Sequence, residues 1–299
     1  GGLSWVFGPG ESEGRLSFTA TGEGQKVKQL LSRAWLQNSV DIPNWDFYAS
    51  RQPSPRDQLG NYAINVADQD VGTDSLMLAP SVDEENEQVD IKAWHPAFEQ
   101  VDESGRFQIL YLLLDEALGE FGTQTRLGEI EFAPFDDGLP LLKLPEYLDK
   151  LWQEKGWEET SPLESNAVYK CEPSDDFCRA DTFAGHTQLP HVVMSYLNNG
   201  GELEEDPAED SGAELLFVVI EGAGAEHQES ALEYRNGIED EISRLLAGGG
   251  GEVVGCAMGT QNSYIDIIIF DGERSRAAIK EAVDKMHSGS WTIKPFFAG

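Results

Sequence analysis

The stretch "AELLFVVIEG" (residues 213–222) is a continuous apolar run of one buried strand's length, closed by Glu221 and Gly222. Beyond Gly222 the pattern changes period. Tyr234, Ile238, Ile242 and Leu245 mark one side of a helix that ends at "GGGG" (248–251). "EVVGCAM" (252–258) and "YIDIIIFD" (264–271) flank "GTQNS" (259–263), whose turn-forming residues read as a hairpin connection. "RSRAAIKEAVDKMH" (274–287) repeats Ile279, Val283 and Met286 at helical spacing, and "WTIKPFF" (291–297) reads as a last strand. The order β-α-β-β-α-β is the split βαβ pattern, and it predicts a ferredoxin-like domain over residues 212–299.

Upstream, the same periodicities predict a second α+β domain over residues 1–160. "GRLSFTAT" (14–21) alternates Leu16, Phe18 and Ala20 against polar neighbours, as a half-buried strand does. Val27, Leu30, Leu31, Ala34 and Trp35 form one helical stripe. "WDFYAS" (45–50) puts Trp45, Phe47 and Ala49 on one face, and "NYAINV" (61–66) does so with Tyr62, Ile64 and Val66. "LMLAP" (76–80) and "QVDIKAWH" (88–95) read as two more strands. "RFQILYLLLDEALGEF" (106–121) is apolar nearly all round, which predicts a buried central helix. "TRLGEIEFAP" (125–134) then reads as a strand and "LPEYLDKLWQEKG" (144–156) as a short helix. This order predicts an elaborated relative of the C-terminal domain with a mostly antiparallel sheet. Residues 161–211 read as a connecting segment, ending in the acidic linker "NNGGELEEDPAEDSG" (198–212).

"GRLSFTATGEG", "WDFYASRQP" and "LLLDEALGEFGTQTRLGEIEF" resemble an uncharacterised family of bacterial proteins with a domain of unknown function. The resemblance covers roughly residues 14–133. "GIEDEISRLLAGGGGEVVGCAMGTQNSYIDIIIFD" (237–271) is more loosely similar to another uncharacterised bacterial domain. These resemblances imply a bacterial origin and an α+β fold, and they carry no catalytic residue.

Composition narrows the function classes. The chain has 299 residues and a net charge of −33. Residues 1–160 hold 29 acidic and 12 basic side chains, residues 161–212 hold 11 and 2, and residues 213–299 hold 14 and 7. A field of one sign along the whole chain repels phosphates, so nucleic acid is not an expected partner; a basic protein is. It also suits plain solubility. No run reaches the roughly 18 apolar residues of a membrane span, so no membrane partner is expected. "GGLSWVFGPGESEG" (1–14) lacks the basic-then-apolar order of a signal peptide, and a Gly-Gly start without Met reads as a trimmed end. Three cysteines are few and odd in number, which predicts a reducing, cytoplasmic setting.

"CEPSDDFCRADTFAGHTQLPH" (171–191) is the sharpest chemical candidate. Cys171, Cys178, His186 and His191 could form a metal site, a disulfide with bystanders, or neither. The histidine spacing suits zinc, but six residues between the cysteines exceed the tight C-x₂₋₄-C turn, and a disulfide needs an oxidising compartment. The segment therefore reads as a connector, with no metal or other cofactor. Glu129 and Glu131 share a strand face about 6–7 Å apart, a spacing that two-carboxylate hydrolases use. Alternation with Ile130 and Phe132 makes them a solvated face instead. Asp136 and Asp137 in "FDDGLP" read as a turn without EF-hand spacing. Asp115 and Glu116 are adjacent rather than stacked on one helix face, and Asp115 and Glu120 are expected at the rim of the sheet. His95 reads as a partly buried strand residue and Cys256 as a small buried apolar one. No phosphate loop or serine elbow is present. The expected function is noncatalytic, the binding of another protein in a regulatory role. The alternative is an enzyme or small-ligand binder with a site between the domains.

Overall fold

A computed structural model describes residues 2–66, 69–225 and 230–298 of the chain. The chain is α+β and divides into two compact units. The first unit contains residues 5–24 and 42–162, and the second contains residues 1–4, 25–41 and 163–299.

The first unit carries three small sheets rather than one. Strands β1 (Ser4–Pro9), β2 (Leu16–Thr21) and β3 (Trp45–Tyr48) form a three-stranded sheet in that order, β2 and β3 being parallel. Strands β4 (Ala63–Val66) and β5 (Gln69–Gly72) pair as a hairpin. Strands β6 (Met77–Asp83), β7 (Gln88–Trp94), β8 (Leu127–Phe132) and β9 (Leu139–Pro140) form a sheet ordered β8-β7-β6-β9. Its β7–β8 pairing is parallel. Among the described residues the expected sheet is thus divided among several: most pairings are antiparallel, as expected, and each of the two parallel pairs is joined by a helix-containing connection, which antiparallel neighbours do not need. Besides α1 (Lys26–Gln37), which clusters with the second unit, the helices here are α2 (Glu103–Arg126) and α3 (Leu144–Lys155).

Helix α2 is the long apolar helix expected from the sequence. Leu110, Leu113 and Leu114 are fully buried with Leu78, Val89, Ile91 and Ala93 of the β6–β7 hairpin. It is capped by Asp102, whose Oδ1 accepts from the Gly105 N–H at 2.8 Å. It kinks at Gly119, where φ is 74°. A Cβ there would lie 2.9 Å from Pro53 Cδ and 3.0 Å from the Arg51 carbonyl, so only glycine fits both the turn and the close approach. The kink frees backbone groups for a neighbouring segment: Glu120 N–H donates to the Arg51 carbonyl, and Ser54 N–H donates to that of Glu116.

The second unit is built on one six-stranded sheet. Its strands are β10 (Ala167–Lys170), β11 (Thr182–Thr187), β12 (Glu214–Ile220), β13 (Gly251–Gly259), β14 (Ser263–Ile269) and β15 (Trp291–Pro295). They run in the order β10-β11-β13-β14-β12-β15, every neighbour antiparallel. Helix α4 (Pro190–Asn198) follows β11, α5 (Ala231–Leu246) joins β12 to β13, and α6 (Glu273–Met286) joins β14 to β15. Leu216, Val218 and Ile220 of β12 and Ile265, Ile267 and Ile269 of β14 pack on Ile238, Ile242, Ile279 and Val283 of the two later helices.

Residues 161–211 are therefore not a connector. They supply β10, β11 and α4, and β11 hydrogen-bonds along β13 from Thr182 to Thr187. The division between units falls at Pro162 and Leu163, not in the acidic stretch 198–212. The physical reason is that β13 would otherwise be an open apolar edge. Its register slips between Val253 and Gly255, and the Val254 carbonyl accepts from the Gln188 N–H at 2.7 Å.

Candidate functional site

The cysteine and histidine candidates do not converge. Cys171, Cys178 and Cys256 are free thiols. His186 lies on β11 opposite Cys256 of β13, while His191 is exposed on the first turn of α4. Among the described residues, no group of three or more His, Cys, Asp or Glu is placed to hold a metal ion. Burial pushes the Cys171 thiol up, and it pushes Cys256 well above its ordinary range, aided by Glu239, to which Cys256 Sγ donates at 3.1 Å.

Glu129 and Glu131 are exposed on β8, the latter 3.0 Å from Lys92, while Ile130 and Phe132 pack on the core. Asp136 and Asp137 are exposed beyond β8. His95 is more buried than a strand position requires. Its Nδ1 accepts from the Ala97 N–H at 3.1 Å, capping a short 3₁₀ turn, and burial pulls its pKa down.

The rim position expected for Glu120 is wrong. This carboxylate is buried and accepts from the Thr21 hydroxyl at 2.6 Å, the Gly24 N–H at 3.1 Å and, more weakly, the Arg51 N–H at 3.3 Å. The Gly119 kink turns it inward to tie β2 and the segment after β3 onto α2. Asp115 is half-buried one helical turn earlier. Burial pushes its carboxyl up to about 6, with Glu120 and Glu116 acting the same way and Thr123 and Arg51 opposing. Glu116 accepts from the Ser54 hydroxyl.

Sequence reasoning missed a buried ion pair in the very stretch it singled out. Arg179 reaches beneath residues 171–181 to the sheet face opposite α5 and α6. Its two terminal nitrogens donate to both carboxylate oxygens of Asp266 on β14, and Nη2 also donates to the Tyr169 hydroxyl at 2.9 Å. Its guanidinium carbon lies 5.3 Å from the Phe217 ring, 5.5 Å from Tyr264 and 5.3 Å from Phe296. Burial works against its charge, but Asp266 and Tyr169 outweigh that and hold its pKa above the ordinary arginine value. Two residues on, the Asp181 carboxylate accepts from Gln261 N–H, Asn262 N–H and the Tyr264 hydroxyl, pinning the β13–β14 hairpin. Beside this network is a pocket of about 390 Å³ lined by Cys178, Val219, Glu221, Gln261, Thr292 and Lys294. The signal in the sequence was Asp266 itself: a carboxylate inside "YIDIIIF" must be paired when the strand is buried.

In the first unit, the β1-β2-β3 sheet presents a cluster of aromatic rings. Trp5 and Phe7 come from β1, Phe18 from β2, and Trp45 and Phe47 from β3, the alternate residues of each strand sharing one face. Phe7 lies 5.2 Å from both Trp5 and Phe18 and 5.8 Å from Trp45. Trp5 is 61% exposed, Phe7 58% and Leu16 52%. The polar residues Ser17, Thr19 and Thr21 of β2 are buried while Leu16 at its start is exposed; Ala20, on the Leu16 face, is buried at the other end of the strand. The turn between β1 and β2 carries Glu11 and Glu13 beside Arg15, which Asp46 of β3 binds, and Glu23 after β2 is paired with Arg51 at 3.0 Å.

Comparison with family models, curated proteins and solved structures returns no match. No helix among the described residues is long and apolar enough to cross a membrane.

Proposed function

We propose that this is a noncatalytic, acidic binding protein that engages a basic protein partner in a regulatory role. The observation that carries the reading is the exposed apolar patch of Trp5, Phe7 and Leu16 on a chain of net charge −33. Exposed contiguous apolar surface rimmed by charge marks interaction sites, and aromatic residues supply most of the energy at such sites. The resemblance to uncharacterised bacterial proteins belongs to this reading and points to a bacterial origin, and the three cysteines point to a cytoplasmic setting. The order β15-β12-β14-β13 supports reading residues 212–299 as a ferredoxin-like core extended by β11 and β10.

The test is capture from a bacterial lysate with the wild-type chain and with Trp5→Ser/Phe7→Ser. The expected result is a basic protein retained at low salt, released at high salt and absent with the variant. Acidic partners, or partners indifferent to the variant, would refute the reading. The pocket beside Cys178 favours a second reading, a small-ligand binder. A metabolite seen by native mass spectrometry and lost on Lys294→Ala would support it.

A further inference from the structure

We infer that the partner binds as an added strand: an extended, arginine-alternating segment that pairs with the free edge of β1 and lays its arginines over Trp5 and Phe7. The inference rests on the proposed binding role and specifies the partner's chemistry.

Among the described residues β1 is an edge strand, with β2 as its one neighbour in the sheet. Edge strands of natural proteins are blunted by charged side chains, internal proline, bulges or a covering element. The sequence of β1, "SWVFGP", carries no charge, and its proline stands last. Trp5 and Phe7 on one face and Val6 on the other are all exposed, at 61%, 58% and 46%. Such an edge offers unpaired backbone N–H and carbonyl groups as a template for another strand.

Charge selects the occupant. A second copy of the chain would bring another −33 and a second set of Glu11 and Glu13 to the same edge, which like-charge repulsion disfavours. A basic segment gains from both. Trp5 and Phe7 are two residues apart, roughly 6–7 Å along the strand, and alternate residues of an added strand repeat at the same pitch. Each cation then stands beside one ring, directly opposite or one step along the ladder. Arginine suits this better than lysine, because its planar guanidinium stacks on an aromatic face while still meeting carboxylates. Glu11 and Glu13, in the turn after β1, place two carboxylates just past its end.

The probe is an eight-residue peptide of alternating arginine and valine, titrated into the full chain. Comparison peptides are the same sequence with a central proline, and alternating glutamate and valine. The arginine peptide is expected to bind, at least about tenfold more tightly than either comparison. It should slow hydrogen exchange in residues 4–9, and the Trp5→Ser/Phe7→Ser variant should weaken it at least about tenfold. Because both side chains are exposed, the variant should keep its far-UV spectrum; if it does not, the exchange footprint on the wild-type chain decides alone. Equal binding of the proline-interrupted peptide would overturn strand addition while leaving the aromatic patch as a docking surface. A footprint outside residues 4–9 would overturn this site while leaving a basic partner possible. Absence of binding, or self-association of the chain through β1, would overturn the inference, and the lysate capture then decides the broader reading separately.

Discussion

Replacing Arg179 by Met tests whether the buried ion pair holds the second unit together. The side chains of Arg179 and Asp266 are at most 1% exposed, so the substitution strands a carboxylate beneath the sheet, with Tyr169 and Tyr196 among its polar neighbours but no other cation among the groups that Asp266 is shown to bind. Breaking a buried pair by removing one partner costs about 3–5 kcal/mol. The three ring contacts overlap with that figure rather than adding to it, since Met also packs well against aromatic rings. Arg179 also holds φ at 82°, a left-handed backbone that a non-glycine residue keeps only when its contacts stabilise it. The expected loss is therefore about 4 kcal/mol. The double variant Arg179→Met/Asp266→Leu removes both charges and should recover most of the loss, coming within about 1–2 kcal/mol of wild type. Urea unfolding followed by fluorescence, with midpoint and slope compared, measures both. The reasoning fails if the single variant costs less than about 1 kcal/mol, or if the double variant is as unstable as the single ones combined.

Glu120→Gln keeps the shape but places an amide against the Thr21, Gly24 and Arg51 donors, and should cost about 2–4 kcal/mol in the same assay; a change under about 0.5 would return Glu120 to the surface. Asp115 has a carboxyl raised on folding from 3.8 to about 6, so its contribution to stability is present below pH 3.8 and lost as pH rises through 6. Asp115→Asn should therefore stabilise the chain above pH 6, on the order of 1 kcal/mol, with the gain fading below pH 4 in midpoints measured across that range. Leu114→Ala should cost about 2–5 kcal/mol in urea unfolding, the range for a fully buried leucine. Residues 212–299 expressed alone lack β11 and Arg179, so their amide spectrum should be less dispersed than that of residues 163–299; equal dispersion would restore the connector reading.

Element types were legible where one period dominates. The runs at 214–220 and 264–269 could only be buried strands, and the stripe through Ile238 and Ile242 could only be a helix against them. The edges of the sheet were not legible in the same way. "AVYK" (167–170) and "TFAGHT" (182–187) are short and of mixed polarity, because β10 is an edge and β11 carries the partly exposed face. The acidic composition between 198 and 212 then outweighed them in placing a boundary. Helix period likewise located α2 but not its kink. Gly119 reads as a tolerated helical glycine until the chain segment 51–54 is known to cross it, and that crossing is what buries Glu120. Each miss has the same origin: the deciding partner lies far along the chain, and local spacing carries no information about it.

The aromatic patch makes the point most directly. The sequence puts Leu16 with Phe18, and Trp45 with Phe47, on common faces, and those groupings are the ones in the structure. Period two says which side chains share a side, and nothing in it says which side meets water. Apolar residues are assigned inward by default because burial is favourable, at about 25 cal/mol per Å². At the start of β2 the default inverts: Ser17 and Thr19 are buried while Leu16 is exposed; at its end Ala20 and Thr21 are both buried, Thr21 held there by the Glu120 carboxylate. A buried hydroxyl with a charged acceptor loses little on leaving water, so the polar face can turn inward and leave Leu16 toward solvent. Glu120 thereby links core to surface. If Glu120→Gln loosens its hold on Thr21, exposure at Trp5 on the neighbouring strand should change with it. Iodide quenching of tryptophan fluorescence, compared between Glu120→Gln and Glu120→Gln/Trp5→Phe, isolates the Trp5 contribution. An unchanged Trp5 component in a variant that has lost stability would show that the aromatic face is set by β1 alone.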